Sequence, residues 1–433
     1  MTIVTSKISN KVEDRVGYQN LPEVFHSNVD PSFQRWIEMA KERTFSLAAG
    51  NRIGHIAPKI MEIGFGKVLF AADQMGADID QSNPFVIFAP DGTCSYNPIR
   101  TQRGFSYGAV LDFDFDGMMA TNNSMPNGCG FSLYEITDEI PDAKLVNFLK
   151  DSQMRLGQDQ LSQLGKGNHF AGVYIVRDPV TGEDTNKRFV VVHCSGHVGG
   201  HRLYHPDSWL SDTSGYIEVP TPHGSITLLE GEARRLYLEQ YGETDKANSV
   251  NRDITVDEIF DKKYEWNRIE EITHQGLTKN SIHRIGTQIH KGLVPIAFNP
   301  EEGLIVVDTK QNLSREFIDY WKQGERIKQY GLESKMTNLN FVPHGGGYEF
   351  RHPVKSMEIR LGPEGIHDFN LHLNIPDGNM SFTYFREIRE WMTYRRKTPI
   401  IREIARADLA EIVYDLPGLM QVYPLQSIPG GSH

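Results

Sequence analysis

Residues 164 to 201 read LGKGNHFAGVYIVRDPVTGEDTNKRFVVVHCSGHVGGH. Two runs within this segment, near 171 to 177 and 188 to 193, are rich in β-branched and aromatic residues and flanked by turn formers, the composition of strands and of the turns between them. The second run ends directly in His193, and GlyAsnHisPhe leads into the first. Imidazoles are therefore expected at strand ends, beside glycines that let the backbone approach an ion or a phosphate closely.

The same texture begins near Pro84, where short apolar runs such as FVIF (85 to 88) alternate with glycine, proline and asparagine. Further strands are expected at 303 to 308, 357 to 361, 368 to 375 and 420 to 425. Leu145, Phe148, Leu149, Ser152 and Leu156 keep helical spacing and predict a helix over 142 to 164; others are expected at 230 to 242, 313 to 330 and 381 to 397. Before residue 80 the pattern is helical. Asp30 stands where it can cap a helix carrying Pro31 in its first turn, with Phe33, Trp36, Ile37 and Ala40 on one face. The expectation is an α+β protein, with a helical N-terminal extension over 1–80 and a strand-rich body with helical insertions over 81–433.

Of the 433 residues, 39% are hydrophobic and 23% charged, which places the chain among globular proteins. No apolar run approaches the length of a membrane span, and the polar N-terminus lacks the pattern of a secretory signal. Three cysteines, Cys94, Cys129 and Cys194, make an odd number without close pairing. This argues against a disulfide framework and for a reducing compartment, with cytoplasm as the expectation. With 45 basic against 56 acidic residues the net charge is −11, the wrong sign for holding nucleic acid by bulk electrostatics. Any such contact must be local, and the segment from Arg386 to Arg406, where basic residues interleave with Trp391 and Tyr394, is the best local candidate.

Four glycine-rich segments carry a thiol or an imidazole close to an expected strand end. They are MPNGCG (125 to 130), LGKGNHF (164 to 170), HCSGHVGGH (193 to 201) and PHGGG (343 to 347). One thiolate with several imidazoles suits manganese, iron or zinc better than calcium or magnesium, which prefer oxygen. No segment has the spacing of a zinc finger or of a HisGluXXHis site.

In chain order these segments resemble the motifs of the RtcB-type RNA ligases, over about residues 85 to 429. APD (89 to 91) and RGFSYGA (103 to 109) are similar to the family's MetProAsp and GlyTyrGlyPheProIleGly stretch. NGCG resembles AspXXCysGly, LGKGNHF resembles LeuGlyXGlyAsnHisPhe, and HCSGHVG resembles HisXGlySerArgGlyXGly. EITHQ (271 to 275) is similar to AspXXHisAsn, PHGGG to SerHisGlyAlaGly, and QVYPLQSI (421 to 428) to the closing strand.

What the resemblance implies is an RtcB-like fold and an RNA ligase that joins 2′,3′-cyclic phosphate or 3′-phosphate RNA ends to 5′-hydroxyl ends, in RNA repair or tRNA splicing. Two Mn2+ ions would be bridged by Cys129, with His169 on one and His193 and His274 on the other. Asn127 falls nearest the family's metal-binding aspartate. His344 would be the nucleophile toward GTP. Asn168, Lys291 in the HKG segment (290 to 292) and Gly345, Gly346 and Gly347 would contact phosphate or nucleotide. Several family positions differ: Gly172 stands at the guanine-reading glutamate, Tyr348 and His197 stand at two arginines, DTKQN (308 to 312) replaces ProGlySerMetGly, and Pro429 lies at the closing lysine. These differences keep two other readings open, an RNA-end binding protein without nucleotidyl transfer and a metal-dependent cyclic phosphodiesterase. His197, His201, His283, Cys94 and Cys194 read as ordinary packing residues.

Overall fold

The computed structural model describes residues 21–48, 52–120, 124–156, 164, 168–195, 200–278, 282–309, 313–375, 378–383 and 385–423. Phe170–Arg177 and Asp184–Cys194 are strands, paired antiparallel with Phe170 opposite His193. They lie inside a twelve-stranded sheet. Its order is Leu293–Ala297, Leu304–Thr309, Ala410–Leu416, Phe170–Arg177, Asp184–Cys194, Cys129–Ile136, Trp266–Leu277, His283–Ile285, Tyr107–Asp112, Phe85–Thr93 and Thr44–Ser46, with Gly418–Val422 also paired to Phe170–Arg177. The class is α+β.

Successive side chains on a strand point to opposite faces, and here each face meets its own core. Phe131, Leu133, Phe189 and Val191 pack with Tyr174, Val176 and Leu304 on one side. Tyr134, Val190, Val192 and Cys194 pack on the other side against Leu145, Leu149, Val256 and Ile259, which come from the helices Asp142–Leu156 and Gly231–Ile259. The longer helix is pinned by Arg252, which is fully buried and pairs with Glu271. Arg252 also donates to the Ser132 hydroxyl at 3.0 Å and the Cys194 carbonyl at 2.8 Å. One cation thus ties three neighbouring strands together from behind.

The expected division at residue 80 gives way to a shared core. Glu23–Ser27 is a strand, paired in parallel with Val354–Gly362 in a separate four-stranded sheet. Thr44–Ser46 pairs in parallel with Phe85–Thr93 at the edge of the large sheet. Between them the helix Arg52–Gln74 is wedged: Ile53, Ile56, Ile60 and Ile63 face the small sheet, while Met61, Phe65, Val68 and Leu69 face the large one. A helix apolar on two faces needs two partners, and both come from the rest of the chain.

Other boundaries also shift. The helix Gln34–Glu42 buries Trp36, Ile37 and Ala40 as expected, but the Asp30 side chain accepts from Ser32 in a tight turn ahead of the helix. The helix expected over 313 to 330 is two short ones, Arg315–Tyr320 and Gly324–Gln329. Among the described residues of 381 to 397, expected to be helical, the one-turn helix Phe385–Ile388 and a 3-10 turn precede Met392–Tyr394, which pairs as a strand with Tyr348–Phe350. Tertiary pairing outweighs local propensity there. Among the described residues no helix is long and apolar enough to cross a membrane.

Candidate metal centre

Four adjacent strands of the large sheet bring their functional side chains to one end and one face. His169 precedes Phe170–Arg177, His193 lies near the end of Asp184–Cys194, Cys129 opens Cys129–Ile136, and His274 lies within Trp266–Leu277. Cys129 has the parity of Phe131 and Leu133, and His193 that of Val191, so the cluster extends the apolar face that those residues form. The Phe131 ring stacks on His193 with centroids 4.5 Å apart. A register irregularity between Thr273 and Gln275 opposite Cys129 sits where His274 enters the cluster.

Cys129 Sγ lies 3.2 Å from His169 Nε2 and 3.3 Å from His193 Nε2, and His193 Nε2 lies 3.3 Å from His274 Nε2. Neighbouring donors on one tetrahedral ion, at the usual bond lengths, stand roughly 3.3–3.6 Å apart. The spacing fits. The outer nitrogens orient the rings as metal-ligating histidines require: His169 Nδ1–H donates to the Leu164 carbonyl at 2.6 Å, and His193 Nδ1–H to the Asn168 carbonyl at 3.2 Å. Both Nε2 lone pairs then face the sulfur. The buried group Cys129, His169 and His193 can hold a metal ion, and His274 joins it through His193.

Electrostatics agree with that use. Burial, then the neighbouring His169 and His344, push the His193 imidazole well below its usual range, and burial, then His344 and His193, do the same to His274. Neutral rings keep their lone pairs. Burial, followed by the nearby Cys194 sulfur, pushes the Cys129 thiol up. A divalent cation is what would draw off its proton, since a coordinating thiol ionises outright.

His344 follows the strand Phe341–Pro343, and its ring lies 4.8 Å from that of His274. Its Nδ1–H donates to Asp91 Oδ2 at 2.7 Å, and the same oxygen accepts the backbone N–H groups of His344 and Gly345 at 3.1 and 3.3 Å. Nε2 is the ring nitrogen not engaged by Asp91. Asp91, fully buried, is delivered by an irregularity of Phe85–Thr93, whose register to Tyr107–Asp112 shifts between Phe88 and Thr93. Arg395 braces that bulge from below by donating to the carbonyls of Pro90, Gly92 and Tyr348.

The structure places the other expected residues variously. Asn127 flanks the centre, with Oδ1 accepting the Cys129 N–H at 3.0 Å and Nδ2 donating to Ser195 Oγ at 3.4 Å. Asn168 is exposed at the rim, and its side chain bonds the Tyr394 hydroxyl. Gly345, Gly346 and Gly347 are buried against backbone rather than open to a ligand. At Gly347, φ is +67° and a Cβ would stand 2.2 Å from the Asp91 carbonyl oxygen, so glycine is what lets this loop close on the Asp91 bulge. Lys291 is exposed and is not gathered to the cluster. Thr287 pairs with Pro343 beside His344, and Lys291 lies four residues further, roughly 13 Å along the ladder.

His283 is structural: it is buried, with Nδ1 2.8 Å from Ser124 Oγ. Cys94 and Cys194 are buried in separate cores. His197, the side chain of His201, residues 310 to 312 and Pro429 lie outside the described residues. A cavity of about 380 Å³ lined by Glu271, Thr273, Arg284 and His290 opens on the reverse face of the Trp266–Leu277 strand, away from the donors. Asp91 and Arg395 are the functional neighbours that sequence reasoning passed over. Asp91 lay inside the APD motif, whereas nothing in the basic run marked Arg395 for burial. No family model matches this chain, and no curated protein matches it in sequence.

Proposed function

We propose that the protein is an RNA ligase that joins a 3′-phosphate or 2′,3′-cyclic phosphate end to a 5′-hydroxyl end through a nucleotidylated His344. In this reading Cys129, His169, His193 and His274 hold Mn2+, and GTP is the nucleotide. The observation that carries it is the juxtaposition of a thiol–imidazole cluster with a fourth imidazole, His344, whose Nδ1–H is held by Asp91. A fourth ring held by a carboxylate, with its other nitrogen turned from that bond, is what nucleotidyl transfer through histidine requires.

His344 Nε2 bonds to the α-phosphorus of GTP, and the bond to the β-phosphate oxygen breaks, releasing pyrophosphate. The positive charge on the ring is offset by Asp91, as a carboxylate stabilises an imidazolium in a catalytic triad. An oxygen of the RNA 3′-phosphate then attacks that phosphorus, and the pair in the N–P bond returns to Nε2. The 5′-hydroxyl oxygen attacks the activated RNA phosphorus, loses its proton and expels GMP. A cyclic phosphate first takes up one water to open its P–O2′ bond. Divalent cations, when bound, offset phosphate charge and favour in-line attack.

Incubation with α-labelled GTP and MnCl2 is expected to leave acid-labile label on the wild-type chain and none on His344→Ala. Failure to label with GTP or any other nucleoside triphosphate removes the ligase reading. Conversion of a cyclic phosphate to a 3′-phosphate without nucleotide would then favour the phosphodiesterase.

A further inference from the structure

Three tyrosine rings form a ladder at the rim of the centre. Tyr394 and Tyr348 stack with centroids 4.8 Å apart and Tyr348 and Tyr96 with centroids 5.2 Å apart, both at interplanar angles of 27°. The inner end is tied to the centre: the Tyr394 hydroxyl bonds the side chain of Asn168, whose backbone carbonyl orients His193. At the outer end Tyr96 is 42% exposed, and the Arg389 guanidinium lies over its ring, 5.0 Å from the centroid. Strand pairing of Met392–Tyr394 with Tyr348–Phe350 builds the ladder, which explains why the basic, aromatic segment is not a continuous helix.

We infer that Tyr96 and Arg389 form a stacking platform for an unpaired base of the RNA strand whose terminal phosphate enters the metal centre. This inference rests on the ligase reading for the identity of that phosphate. Bases of single-stranded RNA stack on aromatic rings, with contributions from arginine, without sequence preference. The incoming base takes the ring face that Arg389 covers, and the guanidinium moves to the adjacent phosphate. This gives an acidic chain a local means of holding RNA. The base belongs to RNA rather than to GTP, because Tyr96 lies at the far end of the ladder from Asn168 and His193, whereas the α-phosphate of GTP must reach His344.

The test uses the full chain with MnCl2 and a short single-stranded RNA ending in a 3′-phosphate, carrying 2-aminopurine or an abasic nucleotide near that end. Wild type is expected to quench 2-aminopurine and to bind the abasic RNA roughly tenfold more weakly. Tyr96→Ala should lose the quench and bind both RNAs equally weakly, and Tyr96→Trp should restore both effects. Arg389→Gln should weaken binding of both RNAs. Equal binding and equal quench in wild type and Tyr96→Ala would overturn the platform, as would restoration of fluorescence by excess GTP, which would assign the face to nucleotide. GTP labelling of the wild type, run in parallel, separates the two claims. If the quench depends on Tyr96 but labelling fails, the ligase reading falls and the platform stands; if labelling succeeds but Tyr96 has no effect, the platform alone falls.

Discussion

Cys129 and Cys194 are both buried thiols 65 positions apart in sequence, yet their pairing partners assign them opposite roles. Gly130 stands opposite Cys194 in the ladder, so the two sulfurs leave the sheet on opposite faces, one among imidazoles and one in the helix-covered core. Cys129→Ser is therefore expected to strip the bound transition metal, measured by elemental analysis of the purified chain, while Cys194→Ser keeps it. Equal metal content in the two variants would contradict the assignment. Asp91→Asn keeps the acceptor for three N–H groups and removes only the charge. The excess strength of a charge-assisted hydrogen bond, about 1–1.5 kcal/mol, predicts GTP labelling slowed roughly tenfold with little change in melting temperature. An unaltered rate would remove Asp91 from the chemistry. Cys129, His169 and His193 were legible as residues because each stands in a glycine-rich segment at a strand end, whereas His274, inside a strand, was legible only through the resemblance of EITHQ. Asp91 and Arg395 act through folded neighbours, Asp91 through a bulge and Arg395 through backbone carbonyls; the APD motif marked the place of the first but not its contact with His344, and nothing along the chain marked the second.

At the scale of elements, strand runs were the most legible feature. FVIF became part of Phe85–Thr93, and the two runs around the 178–183 turn became the pair that carries His169 and His193. Strands buried on both faces advertise themselves by composition alone. Helices misled where pairing intervened, as in Met392–Tyr394, and at 321 to 323, where the expected single helix breaks. The short strand His283–Ile285 illustrates a further element-level consequence. Burial pushes the His283 imidazole down to about 4, so the folded form holds it neutral while the unfolded chain, with its ordinary histidine, binds a proton below about 6.5. Its contribution is fully present above that pH and is lost as the pH falls from about 6.5 towards 4. The melting temperature should fall over that window, and His283→Gln, which retains an acceptor for Ser124, should flatten the fall. An unchanged slope would exclude His283 as its source.

Across the whole molecule, the wedge helix Arg52–Gln74, which the sequence reading set apart in an N-terminal extension, joins the two sheets. A fragment of residues 81–433 would expose the faces that Phe65, Val68, Ile56 and Ile60 cover. It is expected to aggregate or to lack a cooperative melting transition, whereas a soluble fragment with a sharp transition would show that the wedge is dispensable. Fold class was readable because strand and helix periodicities differ. The wedge was not, because a helix apolar on two faces looks like any apolar helix until its second partner, some three hundred residues later, is in place. That architecture also suits the proposed reaction of an acidic chain with phosphates: the donors converge on one sheet end, where a bound cation would supply positive charge that the surface at large does not.

Peptide mapping by mass spectrometry after reaction with GTP and Mn2+ tests the central claim most directly. A single GMP adduct on the peptide containing His344, lost on mild acid treatment and absent from Cys129→Ser stripped of metal, is the predicted result. An adduct elsewhere, or none with any nucleoside triphosphate and divalent transition metal, would contradict the account.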